Sequence, residues 1–203
     1  ETQSMYPNIT ENTDYAGVFD ERHFARLQGY IDDAVAKGAK LTIVGADKTR
    51  ASEGNRRMPL HILQNVTEDM QVMHEEIFGP LLPVMTYADI TEVPNKIEPR
   101  RNPLALYYFG KDKSEQEYLL SHVPSGGVCI NDITLHYVQE DLPFGGVGAS
   151  GMGAYHGPEG FRNMSHARAI YSQTMIDILP IIGARPPFGD KFRKNIGKIL
   201  GAI

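Results

Sequence analysis

Apolar residues recur at helical spacing between Asp20 and Lys37, where polar residues occupy the remaining positions. Asp20 is of a residue type that caps the start of a helix, and Gly38 is of the type that most often ends one. We therefore predict an amphipathic α-helix over this segment. Its buried face should contain Phe24, Leu27, Ile31, Ala34 and Val35.

Short apolar runs bounded by polar residues, glycine or proline predict β-strands. The run at 103–110 is apolar almost throughout, so we expect it to be a buried strand, and the run at 126–132 predicts another apolar strand. Strands that alternate with helical segments favour an α/β fold, with a largely parallel sheet and flanking crossover helices. The predicted strands are 40–45, 59–66, 81–87, 103–110, 126–132 and a last short one, ARAIYS, at 167–172.

Three further segments contain helical signals. Segment 67–78 begins with Thr67, which can cap a helix, and segment 111–126 has Asp112 near its start. Segment 88–101 contains two prolines, which predict a short or broken helix there. The polar connection at 46–58 is expected to be exposed and mobile.

Composition narrows the class of protein. The 203 residues are 41% hydrophobic and have a net charge of −5, which argues against a nucleic-acid-binding protein. The single cysteine, Cys129, excludes an internal disulfide and is typical of a reducing cytoplasm. No run approaches the roughly 18 apolar residues that a transmembrane helix needs, and the polar amino terminus is not a secretory signal. That terminus lacks an initiator methionine, which suggests a chain cut from something longer.

The glycine-rich stretch after Pro143 contains GVGASG, at 146–151, which matches the G-x-G-x-x-G pattern of dinucleotide-binding folds. The pattern has that meaning only between a strand and a helix, with an acidic residue about 20 positions later. Here the glycine run continues, and no acidic residue lies at the expected distance. We therefore interpret the stretch as a long loop in which glycine permits close backbone approach.

Cys129 and the seven histidines are the other candidates for chemistry. A reactive thiol needs a nearby base or positive field, and GGVCIN offers neither, so a small core residue is favoured over a nucleophile. The histidines show no ligand spacing, and no metal site is assigned.

The stretch HEEIFGP, at 74–80, combines two carboxylates and an aromatic ring with a Gly-Pro stop. A carboxylate can accept hydrogen bonds from two vicinal hydroxyl groups, as on a ribose, and a ring two residues later can pack against a flat heterocycle. The alternative is the end of a helix with solvated glutamates and a core phenylalanine. The residues alone leave both interpretations open.

Four motifs, HEEIFGP, NPLALYYFG, SGGVCIND and DLPFGGVGASGMGAYHG, follow one another along the chain. In this order and at this spacing they resemble the aldehyde dehydrogenase superfamily, from about residue 15 to residue 172. NDITLH and GMGAYHG are most similar to the class 3-like branch, which includes coniferyl aldehyde dehydrogenases. The resemblance implies a catalytic domain of that family's α/β type, truncated at its N-terminal side, from an enzyme that oxidises an aldehyde to the carboxylic acid with NAD or NADP.

The resemblance also implies roles for five residues. The second glutamate of the family's E-E-I-F-G-P motif holds the ribose hydroxyls beside the nicotinamide, which corresponds to Glu76, and the phenylalanine that packs beside the nicotinamide corresponds to Phe78. The phenylalanine of P-F-G-G, which lines the aldehyde funnel, corresponds to Phe144. Thr134 and Tyr137 align with residues that face the same funnel.

None of the family's reacting groups corresponds to a residue of this chain. The nucleophilic cysteine, the general-base glutamate and the oxyanion-hole asparagine lie upstream in the family, and the position matching Cys129 is not the nucleophile. We expect residues 1–166 to be the C-terminal portion of the catalytic domain and to be inactive alone. Residues 167–173 should be the strand through which the family forms homodimers, and residues 174–203 a tail.

A non-catalytic alternative stays open. The chain could serve as an oligomerisation or binding module that adds its ARAIYS strand to the sheet edge of a partner.

Overall fold

The structure, a computed structural model, describes residues 2–6, 8–45, 56–100 and 102–201. Most of the mobile connection expected at 46–58 lies outside these residues. Four short 3₁₀ helices, Gln71–Met73, Ile90–Glu92, Glu98–Arg100 and Gly148–Ser150, lie between the longer elements. In chain order the longer elements are α1 (Thr2–Met5), α2 (Glu21–Ala36), β1 (Lys40–Val44), β2 (Leu60–Gln64), β3 (Leu81–Val84), α3 (Val93–Ile97), β4 (Ala105–Tyr108), α4 (Lys113–His122), β5 (Gly127–Ile130), α5 (Leu135–Val138), α6 (Gly157–Asn163) and α7 (Asp190–Leu200).

Helix α2 forms where the apolar periodicity predicts it. The side chain of Asp20 accepts a hydrogen bond from the backbone N–H of His23 (2.6 Å), which caps the helix start. The expectation for Val35 is wrong, since its side chain is 41% exposed. The buried positions instead follow the i, i+3, i+4, i+7 spacing of one helical stripe, and they are Leu27, Tyr30, Ile31 and Ala34.

The strands form two small sheets, and the predicted α/β class is confirmed. In the first sheet β2 lies between β1 and β3, antiparallel to β1 and parallel to β3. In the second sheet β4 pairs parallel to β5. Two of the three pairings are therefore parallel, and the antiparallel strand lies at a sheet edge, where such strands commonly occur.

The main hydrophobic core lies between α2 and the first sheet. Leu27 and Ile31 of the helix pack in one cluster with Leu63 of β2, and all three are fully buried. A smaller cluster joins β4 to α4 through Tyr108, Leu119 and Val123. No helix within the described ranges is long and apolar enough to cross a membrane.

The helix expected at 67–78 does not form, apart from the 3₁₀ turn Gln71–Met73. The backbone N–H of Gln71 donates to the side chain of Asp33 on α2 (2.8 Å) rather than to a helical carbonyl. Further on, Gly79 packs so closely on α2 that a Cβ atom there would lie 2.4 Å from Cδ1 of Leu27. Contacts with α2 therefore override the local helical preference.

Helix α4 is confirmed, with the Asp112 side chain accepting hydrogen bonds from the N–H groups of Ser114 and Glu115. The broken helix at 88–101 is confirmed as well, because α3 is only five residues long and lies between two 3₁₀ turns. Pro94 lies in the first turn of α3, where proline is tolerated because no intrahelical N–H bond is lost.

Two strand expectations need correction. Strand β4 is buried only at Tyr108, while Tyr107 is 41% exposed, because β4 belongs to a two-stranded sheet with one covered face. Residues 167–172 form no strand, because no described residue pairs with their backbone. Ile170 and Tyr171 are 75% and 79% exposed.

We predict that Gly79→Ala lowers the free energy of unfolding by about 1–3 kcal/mol, because the added methyl group overpacks the buried side chain of Leu27. Urea denaturation followed by circular dichroism measures the change. Gly29→Ala is the matched control, because this position inside α2 has open space around a Cβ atom and should gain about 0.5–1 kcal/mol from helix propensity. Equal effects at the two positions would contradict the close contact.

We predict that Asp33→Asn alters the dependence of stability on pH. The backbone N–H of Gln71, and then the ammonium group of Lys37, hold the pKa of the Asp33 carboxyl below its ordinary value of 3.8. Because the pKa is lowered by folding, the stabilisation is present above pH 3.8 and is lost as pH falls through the lower folded value.

Denaturation midpoints measured from neutral pH down to about pH 3 should therefore show wild type and Asp33→Asn converging as the solution becomes acidic. Glu117→Gln, which removes an exposed carboxylate on α4, should show no such convergence. A constant difference between wild type and Asp33→Asn at every pH would refute the assignment.

Candidate functional site

One polar face of α2 holds the segment from Asp69 to Phe78. The segment runs antiparallel to the helix, and successive helical turns each contribute a side chain that contacts it. We define this polar face of α2 by its five members, Lys37, Asp33, Tyr30, Arg26 and His23. Their spacing of three and four residues places them on one side of the helix.

Arg26 makes the densest set of these contacts. Its guanidinium group donates hydrogen bonds to the backbone carbonyls of Glu76 (3.1 Å) and Ile77 (3.0 Å), and to the carboxylate of Glu75 (3.2 Å). Nε2 of His23 lies 2.7 Å from the carbonyl oxygen of Phe78. Three consecutive carbonyls of the HEEIFGP stretch are thus held by two side chains of α2.

Glu75 is occupied by internal contacts. The hydroxyl of the buried Tyr30 donates to its carboxylate (2.7 Å), and this bond, followed by the one from Arg26, holds the pKa of Glu75 below its ordinary value. Burial, reinforced by the hydrogen bond to Glu75, raises the pKa of Tyr30. One carboxylate oxygen of Glu75 thus contributes to structure, and the residue lines the same cavity as Glu76.

Glu76 is in the opposite situation. Within the part of the chain that the structure describes, its carboxylate has no hydrogen-bond partner, and it lines a cavity of about 920 Å³. Ala149 and Ser150 of the glycine-rich stretch line the same cavity, as do Asn102 and Leu104. A free carboxylate in a cavity of this size can accept hydrogen bonds from the hydroxyl groups of a ligand.

Phe78 faces another cavity. Its backbone is left-handed, with φ of 49°, a conformation that costs a bulky residue about 1–3 kcal/mol. Its ring is 70% exposed and makes an edge contact with His23, with centroids 6.0 Å apart. The ring lines a cavity of about 590 Å³ together with Phe19 and Arg22. Glu76 and Phe78 thus present their side chains to different cavities on the two sides of one short turn.

Phe144 lies at the centre of an aromatic cluster. Its ring centroid is 5.8 Å from that of Tyr137, 5.9 Å from that of His136 and 5.5 Å from that of Tyr155. Phe144 and Tyr155 also exchange two backbone hydrogen bonds of 2.9 Å. Phe144 lines a cavity of about 650 Å³ that shares Leu104 and Ser150 with the cavity of Glu76.

Thr134 and Tyr137 lie at the two ends of one helical turn. Thr134 has a φ of 61° and its carbonyl accepts a hydrogen bond from the N–H of Tyr137 (2.9 Å). The hydroxyl of Thr134 donates to the carbonyl of Ile133, and the residue is exposed. Tyr137 therefore contacts Phe144 directly, whereas Thr134 lies one turn away from that contact.

His136 and Tyr155 belong to this cluster although the sequence reasoning did not single them out. Both ring nitrogens of His136 are buried and have no hydrogen-bond partner among the described residues. Gly127 of β5 makes room for the ring, because a Cβ atom there would lie 2.6 Å from Cδ2 of His136. Their signal in the sequence is the clustering of rings in LHYV and AYHG, on both sides of the glycine-rich stretch.

The glycine-rich stretch is a tightly folded loop. A Cβ atom at Gly146 would lie 2.1 Å from the carbonyl oxygen of Ser150, so only glycine permits this turn. The G-x-G-x-x-G match at 146–151 contains only the 3₁₀ turn Gly148–Ser150, and the next helix, α6, begins at Gly157. This geometry is not that of a dinucleotide-binding strand–loop–helix unit.

Cys129 lies within β5 and is half-buried, opposite Tyr107 in the β4–β5 register. Among the residues described by the structure, no group of three or more His, Cys, Asp or Glu side chains could hold a metal ion.

Comparison with known proteins identifies the family. Residues 1–170 match the aldehyde dehydrogenase family. The "Probable coniferyl aldehyde dehydrogenase" of Caulobacter vibrioides is 45% identical over 94% of this chain and 40% of its own length. The "Coniferyl aldehyde dehydrogenase" of Pseudomonas sp. strain HR199 is 40% identical over 97% of this chain and 41% of its own length. The chain thus spans about two fifths of the length of these relatives.

Solved structures agree with the sequence match. The substrate-bound state of Staphylococcus aureus AldH superimposes with a TM-score of 0.74 and 32% identity over 98% of this chain and 42% of that one. The NAD+ complex of Bacillus cereus aldehyde dehydrogenase superimposes with a TM-score of 0.65 and 26% identity over 75% of this chain and 30% of that one. Both the sequence and the fold therefore establish that this chain belongs to the aldehyde dehydrogenase family.

Proposed function

We propose that this chain is the C-terminal catalytic-domain portion of an enzyme that oxidises an aldehyde to the carboxylic acid with NAD or NADP. The observation that supports the proposal most directly is the carboxylate of Glu76, which has no hydrogen-bond partner among the described residues and lines a cavity together with the glycine-rich stretch. Membership of the family supports aldehyde oxidation as the reaction. The match covers only 40% of the relative from Caulobacter vibrioides, which supports a functional protein longer than this chain.

Glu76 and Phe78 are proposed to position the cofactor. The Glu76 carboxylate accepts hydrogen bonds from the ribose hydroxyls of the nicotinamide half, a role suited to an acceptor without an internal partner. The exposed ring of Phe78 offers a flat apolar surface beside the nicotinamide. The bound cofactor would supply a hydride acceptor for aldehyde oxidation. Because the two side chains line different cavities, a cofactor that touches both must pass across the turn that joins them.

Phe144, Tyr137 and Thr134 are proposed to contact the aldehyde. Phe144 and Tyr137 present adjoining rings, which suit an aromatic substrate that packs edge-to-face or offset against them. Two relatives are named as coniferyl aldehyde dehydrogenases, which also supports coniferyl aldehyde or a similar aromatic aldehyde as the substrate. In this proposal the chain supplies positioning, while the nucleophile and the general base come from upstream segments.

The segment 167–173 is proposed to add to a sheet of a second copy, with residues 1–166 as the catalytic portion and 174–203 as a tail. Two observations support this role: no described residue pairs with its backbone, and the side chains of Ile170 and Tyr171 are exposed. An extended segment of this kind can pair with an exposed sheet edge. The same observation favours the alternative of a non-catalytic assembly module.

We predict that the complete protein reduces NAD or NADP when supplied with an aromatic aldehyde, and that Glu76→Gln raises the KM for the cofactor by about tenfold or more. A hydrogen bond to a charged group contributes about 1.5–3 kcal/mol, which corresponds to that factor. Absorbance of the reduced nicotinamide measures both the reduction of the cofactor and the KM for it. The matched control, Glu117→Gln, alters an exposed glutamate of α4 and should leave the KM unchanged.

Absence of cofactor reduction with any aromatic or aliphatic aldehyde would exclude the enzymatic assignment. A wild-type KM in Glu76→Gln would exclude only the role of that residue.

Phe144→Ala should raise the KM for the aldehyde and leave the KM for the cofactor unchanged, since its ring lies in the aromatic cluster.

We predict that replacing both Ile170 and Tyr171 with serine shifts the complete protein from dimer towards monomer in analytical ultracentrifugation. The two substitutions remove the exposed apolar side chains of segment 167–173. Met175→Ser, at a fully exposed neighbouring position, serves as the control. A wild-type protein that stays monomeric at high concentration would count against both the dimer and the assembly module.

A further inference from the structure

Arg26 contacts the turn formed by residues 75–78, which presents Glu76 and Phe78. Of its partners in that turn, two are backbone carbonyls, those of Glu76 and Ile77, and only one is a side chain, that of Glu75. Every residue type has a backbone carbonyl, so the hydrogen bonds from Arg26 to the two carbonyls do not depend on the side chains of Glu76 and Ile77. They fix the orientation of the two peptide groups. A guanidinium group is suited to this task because it presents five N–H donors in a rigid plane.

Arg26 is itself held in a fixed orientation. Its Nη1 donates to the hydroxyl of Tyr30 (3.0 Å), and its guanidinium carbon lies 5.2 Å from the centroid of the Tyr30 ring. Nδ1 of His23 lies 3.3 Å from Nε and 3.1 Å from Nη2 of the arginine. These contacts fix the plane of the guanidinium group before any ligand binds.

The arginine also determines the tautomer of His23. Arginine has no acceptor, so Nδ1 of His23 must accept its hydrogen bonds, and the imidazole proton is then on Nε2. Nε2–H donates to the carbonyl of Phe78 at 2.7 Å. Arg26 therefore orients the carbonyls of Glu76 and Ile77 directly, and that of Phe78 through His23.

The fixed carbonyls of Glu76 and Ile77 lie between the Cα atoms that bear the side chains of Glu76 and Phe78. The direction of a side chain follows the backbone dihedral angles of its residue, and Phe78 holds a left-handed φ of 49° that few residues adopt without support. Loss of the three carbonyl contacts would release this conformation. Glu76 would then turn away from its cavity without any change in its own chemistry.

We propose that Arg26 is a positioning residue for the cofactor, acting together with His23 to hold Glu76 and Phe78 in their binding orientation. The proposal rests on the cofactor role proposed for those two residues. Arg26 and His23 also line the cavity of about 590 Å³ that the Phe78 ring faces, and the role assigned to them here acts through the backbone of the turn.

The test compares Arg26→Met with Arg193→Met in the complete protein. Arg193 is an exposed arginine of α7 whose described ion pair is with Asp190, so it offers the same chemical change away from the turn. Arg26→Met should raise the KM and the Kd for the cofactor by about tenfold or more, because misplacement by about 1 Å can cost that much, while the KM for the aldehyde changes less than about twofold. Steady-state kinetics and titration calorimetry with NAD supply the values.

Arg26→Lys covers the case in which Arg26→Met fails to fold. Lysine keeps the charge and the aliphatic stem but presents its donors from a single nitrogen rather than from a planar fork, so a raised cofactor KM is expected here as well. Glu75→Gln removes the ion pair and leaves the backbone acceptors in place, so it should have a smaller effect than either arginine variant.

Chemical rescue separates positioning from general destabilisation. The Arg26 side chain is 31% exposed, so guanidinium ion should enter the space left in Arg26→Ala and lower its cofactor KM towards the wild-type value. It should have no such effect on Arg193→Ala. Destabilisation alone would lower the amount of active enzyme without changing this KM.

Cofactor KM and Kd values within about twofold of wild type in both Arg26→Met and Arg26→Lys would overturn the proposal. An equal change in Arg193→Met, or no rescue of Arg26→Ala, would also overturn it. A wild-type protein that reduces no cofactor would instead exclude the proposed function, so the two failures are distinguishable.

Discussion

The docking of segment 69–79 along α2 is the constraint on which the candidate site depends. The 3₁₀ turn Gln71–Met73 gives one part of the segment its own hydrogen bonds, whereas residues 75–79 have no regular secondary structure. Its backbone is held instead by side chains of the polar face of α2, while Gly79 packs directly on Leu27. Helix α2 is in turn fixed by the core that it shares with the first sheet. An ordinary amphipathic helix thus uses its apolar stripe for folding and a neighbouring polar stripe for shaping the turn.

This arrangement gives two adjacent, chemically identical residues different properties. Glu75 points towards α2, where Tyr30 and Arg26 hold its carboxylate and lower its pKa. Glu76 points away from the helix into a cavity, and its carboxylate has no hydrogen-bond partner among the described residues. The sequence EE alone cannot distinguish a structural carboxylate from a ligand-binding one. The distinction comes from the direction in which the backbone turns, and that direction is fixed by hydrogen bonds from residues about 50 positions earlier.

Sequence patterns predicted the elements whose cause is local. The helical periodicity and cap of α2, the capped helix α4 and the prolines that limit α3 all follow from neighbouring residues. The two wrong predictions, a helix at 67–78 and a strand at 167–172, have non-local causes. Contacts with α2 hold residues 67–78 outside a helical conformation, and no described residue pairs with the backbone of 167–172. The polar face of α2 could have been found, because His23, Arg26 and Tyr30 recur at helical spacing. Its function could not, because nothing in the spacing shows that the acceptors are backbone carbonyls.

The two parts of the site differ in how they are supported. The turn that presents Glu76 rests on the buried core between α2 and β2, in which Leu27, Ile31 and Leu63 are inaccessible to solvent. The aromatic cluster around Phe144 rests instead on ring contacts and on glycine-dependent backbone packing, and Tyr137 and Tyr155 stay substantially exposed. The turn is thus fixed by hydrogen bonds to a helix on a closed core, whereas the cluster is fixed by ring contacts and by a tightly folded glycine-rich loop. In the proposed function, the hydrogen-bonded turn would position the cofactor, and the aromatic cluster would contact the aldehyde.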